Sequence, residues 1–331
     1  MSLDILSDVL RAVRLRGAVF YYVSCRDEWA AEAPPASEIA SAVMPGAEHV
    51  IEYHMVAKGG GWAGVSGVNP IRLSTGDIVM FPQGDSHVLS SAPGLRPSRS
   101  AADWVYEAAM QNGPVPISYH HGVEQPGAAM PVDQADTVLV CGFIGCDLRP
   151  FNPLIASLPR LLHIPAAVGG AWLQPVVAQA AAESRQPRPG SEVMLARISE
   201  MMFVDAVRHY IASSPDLAHG WLSGLNDRFV GRALSLLHQR PADRWTVDEL
   251  SSRVGLSRSA LHERFVHFLG QAPMQYLANW RMQLAAGMLR SSNAPVASIA
   301  LDVGYDSEAA FARAFKRQVG QPPATWRRSL A

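Results

Sequence analysis

Apolar positions in this chain follow two different periods. Between Gly17 and about Asp147, short runs rich in β-branched and aromatic residues end at Gly, Pro or Asn: GAVFYYVSC, HVIEYHMVAKGGGW, NPIRLSTGDIVMFPQGDSHVLSS and DTVLVCGFIGC. Such runs predict the short strands of a sandwich or barrel. Ahead of them, Leu3, Leu6, Leu10 and Val13 share one face of an amphipathic leader helix over residues 1–17, suited to covering a sheet edge. After Cys146 the period becomes helical. Phe151-Asn152-Pro153 opens LIASLPRLL, Gly169-Gly170 opens AWLQPVVAQAAAES, and Gly190-Ser191 opens EVMLARISEMMFVDAVRHYIASS. The last carries Val193, Ile198, Met201, Met202, Val204 and Val207 on more than one side, so neighbours or a partner subunit must bury it.

The segment 93–136 has no regular period and is rich in Pro, Gly and Ala, with AADWVYEAAM able to form a helical turn or two. It reads as a lid or a disordered insertion. The pair His120-His121 falls in this loop and reads as solvent exposed.

Near the C-terminus one pattern occurs twice. Leu250 to Pro273 and Ile299 to Pro323 match at Val254-Gly255 and Val303-Gly304, Phe265 and Phe315, Gly270-Gln271 and Gly320-Gln321, and Pro273 and Pro323. A supersecondary unit used twice produces such a period. In the first copy the capping box Thr246 to Glu249 starts a helix, Gly255 stops it, and Ser257 caps a second. On that second helix Leu261, Phe265 and Leu269 face inward, and Ser259, His262, Glu263 and Val266 face outward. In the second copy Pro295 suits a first turn, Gly304 ends the helix and Ser307 caps the next. There Phe311, Phe315 and Val319 face inward, and Ala309, Ala312, Arg313 and Lys316 outward. Each copy is a helix-turn-helix, and a major groove about 12 Å wide admits one such helix with polar or small outward residues.

These motifs, GLSRSALHERF and GYDSEAAFARAFKRQVGQPP, make the last 100 or so residues resemble the AraC/XylS family of transcription regulators. The resemblance implies base-facing roles for Ser259, His262, Glu263, Glu308, Ala309, Ala312 and Arg313, and phosphate contacts for Arg258, Lys316 and Arg317. Glu263 departs from the family's polar choices at its position; a carboxylate there could accept from cytosine N4 or repel wrong registers. Double-stranded DNA is then the partner, with RNA polymerase and a homodimer formed through the 166–227 region also implied. The run from Gly76 to His87, GDIVMFPQGDSH, resembles the second cupin motif, although Glu52 stands where a cupin presents the first of two histidines before His54. The fold expected is α+β: a cupin-like jelly-roll barrel over 1–165, a helical linker and dimerisation region over 166–227, and an all-α DNA-binding domain over 228–331.

Charge supports this division. Residues 228–331 carry 14 Lys and Arg against 7 Asp and Glu, a net of +7, while the rest carry 14 against 22, a net of −8. A basic module joined to an acidic one is expected where only one end meets phosphate. At 331 residues and 48% hydrophobic content the chain can hold two or three globular domains. It has no apolar run long enough to span a membrane and no signal-peptide core, which places it in the cytoplasm.

Three cysteines, Cys25, Cys141 and Cys146, argue against structural disulfides. Cys141 and Cys146 with His54 and His87 could form a tetrahedral zinc site. Alternatively Cys25 and Cys141, on first and last strands, form a thiol switch like that of oxidant-sensing AraC-type activators, or the cysteines simply pack as small hydrophobes. The reading is a regulator, an activator by resemblance and not an enzyme, that responds to a small molecule, metal or oxidant. The alternative is a metal-dependent cupin enzyme joined to a helical DNA-binding module.

Overall fold

The computed structural model describes residues 4–97, 114–168, 172–213 and 220–329, so the helical turns expected within AADWVYEAAM lie outside the described residues. The chain forms two compact units that do not follow chain order. One comprises residues 15–146 and 158–213, the other residues 1–14, 147–157 and 214–331. The divisions expected after residues 165 and 227 differ from this grouping. Helix α1 (Ile5–Ala12), capped by Asp4, belongs to the second unit and packs on its helices, where a role covering a sheet edge was expected.

The first unit contains β1 (Arg16–Arg26), β2 (Ala30–Ala33), β3 (His49–Lys58), β4 (Gly60–Val65), β5 (Ile71–Ser74), β6 (Ile78–Phe81), β7 (His87–Ser90), β8 (Val115–His120), β9 (Val123–Pro126), β10 (Thr137–Cys146) and β11 (Leu162–Ile164), with helices α2 (Ala36–Val43), α3 (Leu173–Arg185) and α4 (Ser191–Ser213). The strands make a seven-stranded sheet, β11-β6-β3-β10-β1-β8-β9, and a four-stranded sheet, β2-β7-β4-β5. Pairing is antiparallel except between β1 and β8. Tyr21, Val23, Leu139, Cys141, Phe143, Val79 and Phe81 of the larger sheet share a core with Ala63, Val65, Leu73 and Leu89 of the smaller. The other face of the larger sheet lies under α3 and α4, where the Tyr53 hydroxyl is 2.6 Å from Ser199 Oγ. Covered on both faces, β10 is buried at every position, which is why its sequence is apolar throughout instead of alternating. The β-rich domain is thus a two-sheet sandwich. Among the described residues no ring of strands closes, where a barrel was expected.

Two stretches depart from their sequence reading. The supposed irregular loop contains the β8–β9 hairpin, in which Ile117 and Tyr119 point into the core from a short alternating run that Pro116 had disguised. LIASLPRLL is not a helix. It makes one 3-10 turn, Ile155–Ser157, after which Pro159 breaks the period and Leu162 to Ile164 pair with β6.

The second unit is helical: α5 (Trp221–Asn226), α6 (Arg228–Gln239), α7 (Val247–Val254), α8 (Arg258–Leu269), α9 (Pro273–Ser291), α10 (Val296–Asp302), α11 (Glu308–Val319) and α12 (Pro323–Arg328). Helix α9 carries the second repeat: its Met282, Ala285, Ala286 and Leu289 pack with Ile299, Val303, Phe311, Phe315 and Trp326. Asp147, 2% exposed, accepts from Arg14 Nε at 2.8 Å and Arg290 Nη1 at 2.7 Å, tying α1 and α9 to segment 147–157. Among the described residues no helix is long and apolar enough to cross a membrane.

Candidate functional site

The two repeats fold as the sequence predicts at their caps. Thr246 Oγ1 accepts from the Glu249 amide at 3.1 Å, and Ser257 and Ser307 accept from the amides of Ala260 and Ala310, each at 3.2 Å. These bonds satisfy donors that a helix start otherwise leaves open. Gly255, at φ +80°, ends α7 in the left-handed conformation that L-residues disfavour. Leu261, Phe265, Phe311 and Phe315 are fully buried, whereas Leu269 and Val319, expected on the same stripes, are only half-buried in the last turns.

With the inner faces committed, the outer faces are open. Ser259, His262, Glu263 and Val266 on α8 are exposed, as are Glu308, Ala309, Arg313, Lys316 and Arg317 on α11, while Ala312 is half-buried. Arg258, exposed at the start of α8, pairs with Asp248 at 3.1 Å. A pair this exposed is worth at most about 1 kcal/mol and would yield readily to a phosphate. Between the repeats lies a residue that no sequence motif singles out. Arg281 on α9 donates to the carbonyls of Pro241 at 2.6 Å, Asp243 at 2.7 Å and Gly304 at 3.2 Å. One guanidinium therefore fixes the α6–α7 connection against the turn of the second repeat.

The sandwich interior holds a second concentration of chemistry. Tyr21, Tyr119, Cys141, Glu52, His54 and His87 contribute to the lining of a mostly apolar cavity. Residues 52 and 54 sit on β3 with the same facing and His87 opens β7 on the opposite sheet, so the sandwich brings them together. His54 Nε2 lies 2.7 Å from His87 Nε2, and Glu52 Oε2 is 3.9 Å from that same nitrogen. His87 Nδ1 bonds the Asp85 carbonyl at 2.9 Å, and its ring stacks on Phe81. Burial pushes the Glu52 carboxyl up to about 8 and His87 down to about 4. Burial and the neighbouring His87 hold His54 well below its ordinary value. Both imidazoles are thus neutral near pH 7, and Glu52 Oε1 and His54 Nδ1 have no hydrogen-bond partner among the described residues.

The cysteines fall elsewhere than the sequence arranged them. Cys141 faces this cavity, but Cys146, five residues along the same strand, projects from the opposite face, so the set His54, His87, Cys141 and Cys146 is not assembled. Glu52 stands with the histidines instead: Glu52, His54 and His87 present ligand atoms within 4.8 Å of one another. For the thiol pair, β1 and β10 are indeed neighbours. Yet Cys25 pairs with Thr137, and Cys141 with Tyr21, a four-residue offset. At about 3.4 Å per residue that separation is roughly twice what a disulfide spans. Burial also pushes both thiols up, away from the reactive thiolate. His121 is exposed, as expected, whereas His120 is half-buried, and both lie beside Asp27.

Comparison with known proteins places two family matches on this chain. Residues 4–212 match the family described as Cupin, and residues 250–329 the family described as Helix-turn-helix domain. A putative AraC-like transcription regulator of Streptomyces lividans is 31% identical over 98% of this chain and 98% of its own length. The HTH-type transcriptional regulator AlkR of Acinetobacter baylyi is 26% identical over 98% of this chain and 99% of its own. The crystal structure of the DNA-binding domain of AdpA in complex with a target DNA is 28% identical, covering 31% of this chain and 92% of that one, with a TM-score of 0.30. With a cupin-family sandwich, twin capped helix-turn-helix repeats and a full-length AraC-like relative, the chain belongs to the AraC family of DNA-binding transcription regulators.

Proposed function

We propose that this regulator reads a small effector or a divalent metal ion inside its sandwich, and that occupancy of the interior alters how α8 and α11 engage double-stranded DNA. The observation that carries the reading is the buried group Glu52, His54 and His87. Three ionisable side chains in an apolar cavity, two of them with a polar atom lacking a partner, cost folding free energy unless a ligand uses them. The donors fit a transition ion such as zinc: two neutral imidazoles and a carboxyl that an ion would ionise. An ion held there would supply a Lewis-acidic centre for an effector's oxygen or nitrogen. The buried, protonated thiols weigh against direct oxidant sensing by Cys25 and Cys141.

Exposed Val193, Met194 and Met201 on α4 support a homodimer made through this helix, which otherwise packs on its own sheet. The family resemblance also implies a cytoplasmic location, activation and contact with RNA polymerase. The test is binding of the full-length protein to a genomic target fragment with added Zn2+ and with a chelator. Binding that differs between the two, and a difference lost in His87→Ala, support the reading; identical binding in both removes the metal. A metal-dependent enzyme is the alternative favoured by the same His-His-carboxylate set. It requires turnover or oxygen uptake by the ion-loaded chain that His87→Ala abolishes.

A further inference from the structure

We propose that Asp27, His120 and His121 form a second site for a divalent transition ion such as zinc or copper, on the surface of the sandwich. The parallel pairing of β1 with β8 sets Arg26 beside His120, so the residue after β1 meets the tip of the β8–β9 hairpin. His120 Nε2 is 3.5 Å and His121 Nδ1 3.4 Å from a single atom, Asp27 Oδ2, and the two rings lie 4.2 Å apart. These separations exceed the roughly 2.7–3.2 Å of an N–H···O hydrogen bond. They match the edge of a coordination tetrahedron instead: ligands about 2.0–2.2 Å from zinc stand about 3.3–3.6 Å apart.

The backbone fixes the geometry of this corner. Asp27 and His121 have φ of +61° and +48°, the left-handed region that side chains other than glycine seldom occupy. His121, with Gly122 at φ +75°, forms the two-residue left-handed turn that closes the β8–β9 hairpin, so the turn itself sets this conformation. Here the Asp27 amide donates to Asp136 Oδ2 at 2.9 Å, and the Gly122 amide to the Glu28 carbonyl at 2.8 Å. Both strained residues are thereby held with their side chains converging. Arg26 Nε, 4.0 Å from Asp27 Oδ2, is the cation the carboxylate faces without an ion. Imidazole and carboxylate donors suit zinc, copper or nickel over magnesium or calcium, and the exposure of all three side chains leaves a position for water. Because β8 and β9 supply Ile117, Tyr119 and Glu124 to the cavity lining, an ion at this corner would fasten that wall to β1.

The test is calorimetric titration of the full-length protein with zinc chloride. His87→Gln isolates the surface site from the buried one, and His121→Asn alters a surface ligand with a residue that accepts the left-handed backbone. The His87→Gln chain should bind one zinc, and adding Asp27→Asn or His121→Asn should weaken it at least about tenfold, since second-shell losses alone cost 10–100-fold. In the unaltered core the same surface substitutions should remove one zinc per chain. Circular dichroism melts confirm that each variant is folded. The proposal is overturned if the wild-type chain takes up no zinc, or if the surface substitutions leave stoichiometry and affinity unchanged. Zinc uptake that the surface substitutions leave unchanged overturns this site but not the buried one, because His87→Gln reads that one separately; no uptake by the wild-type chain removes both.

Discussion

The two turns of the helix-turn-helix repeats look equivalent in sequence but are not equivalent in space. Gly255 has φ +80°, and a Cβ there would meet nothing within 4 Å. Gly304 has φ +85°, but a Cβ there would lie 2.6 Å from the Ala242 carbonyl oxygen and 2.7 Å from Ala242 Cα. Those are backbone atoms, and Arg281 pins them through Pro241, Asp243 and Gly304, so they cannot retreat as a flexible side chain would. Gly255→Ala should therefore cost only left-handed strain, about 1–2 kcal/mol. Gly304→Ala adds overpacking of about 1–3 kcal/mol, for a total of about 2–5 kcal/mol. Urea unfolding of the full-length protein, followed by circular dichroism in the helical band, measures both. Equal losses in the two variants, or a smaller loss for Gly304→Ala, would refute the close approach of the second turn to the α6–α7 connection.

Three further outcomes follow from the same structure. Arg313→Ala should weaken DNA binding by about 1–3 kcal/mol and relax preference at one base pair in a binding-site selection; a uniform loss over all sequences makes it a phosphate contact. Asp147→Ala should destabilise the helical unit by about 3–5 kcal/mol in thermal or urea unfolding, because Arg290 is left buried without its carboxylate. His238 is pushed by burial down to about 3, so the unfolded chain takes up its proton first, and its stability is present above pH 6.5 and lost as pH falls toward 3. Relative to His238→Gln, the wild-type protein should lose about 2.5 kcal/mol between pH 7 and pH 4.5; parallel pH profiles contradict this.

The helix-turn-helix pair was readable because its signals are local: caps, a stop glycine and a four-residue apolar spacing all act within a dozen residues. Ser257, Gly255, Phe265 and their counterparts are where that reasoning put them. The sandwich interior was readable only in part. His87 ends a cupin-like run and His54 follows Glu52 on one strand face, but strand parity sends residues five apart to opposite faces and so separates Cys146 from Cys141. Pairing register is likewise non-local, so sequence placed β1 beside β10 without showing that Cys25 and Cys141 are four rows apart. The Asp27 cluster and the Arg281 clamp depend on residues more than 20 positions distant and left no periodic trace.

The central claim, that the exposed faces of α8 and α11 read successive major grooves, is tested most directly by footprinting the full-length protein on a genomic fragment it selects. The account predicts two protected segments on one face of the duplex about one helical turn, roughly 34 Å, apart. It also predicts that Glu263→Ala alters one segment and Arg313→Ala the other, with affinity falling steeply as salt is raised. A single protected groove, or protection untouched by both substitutions, contradicts it.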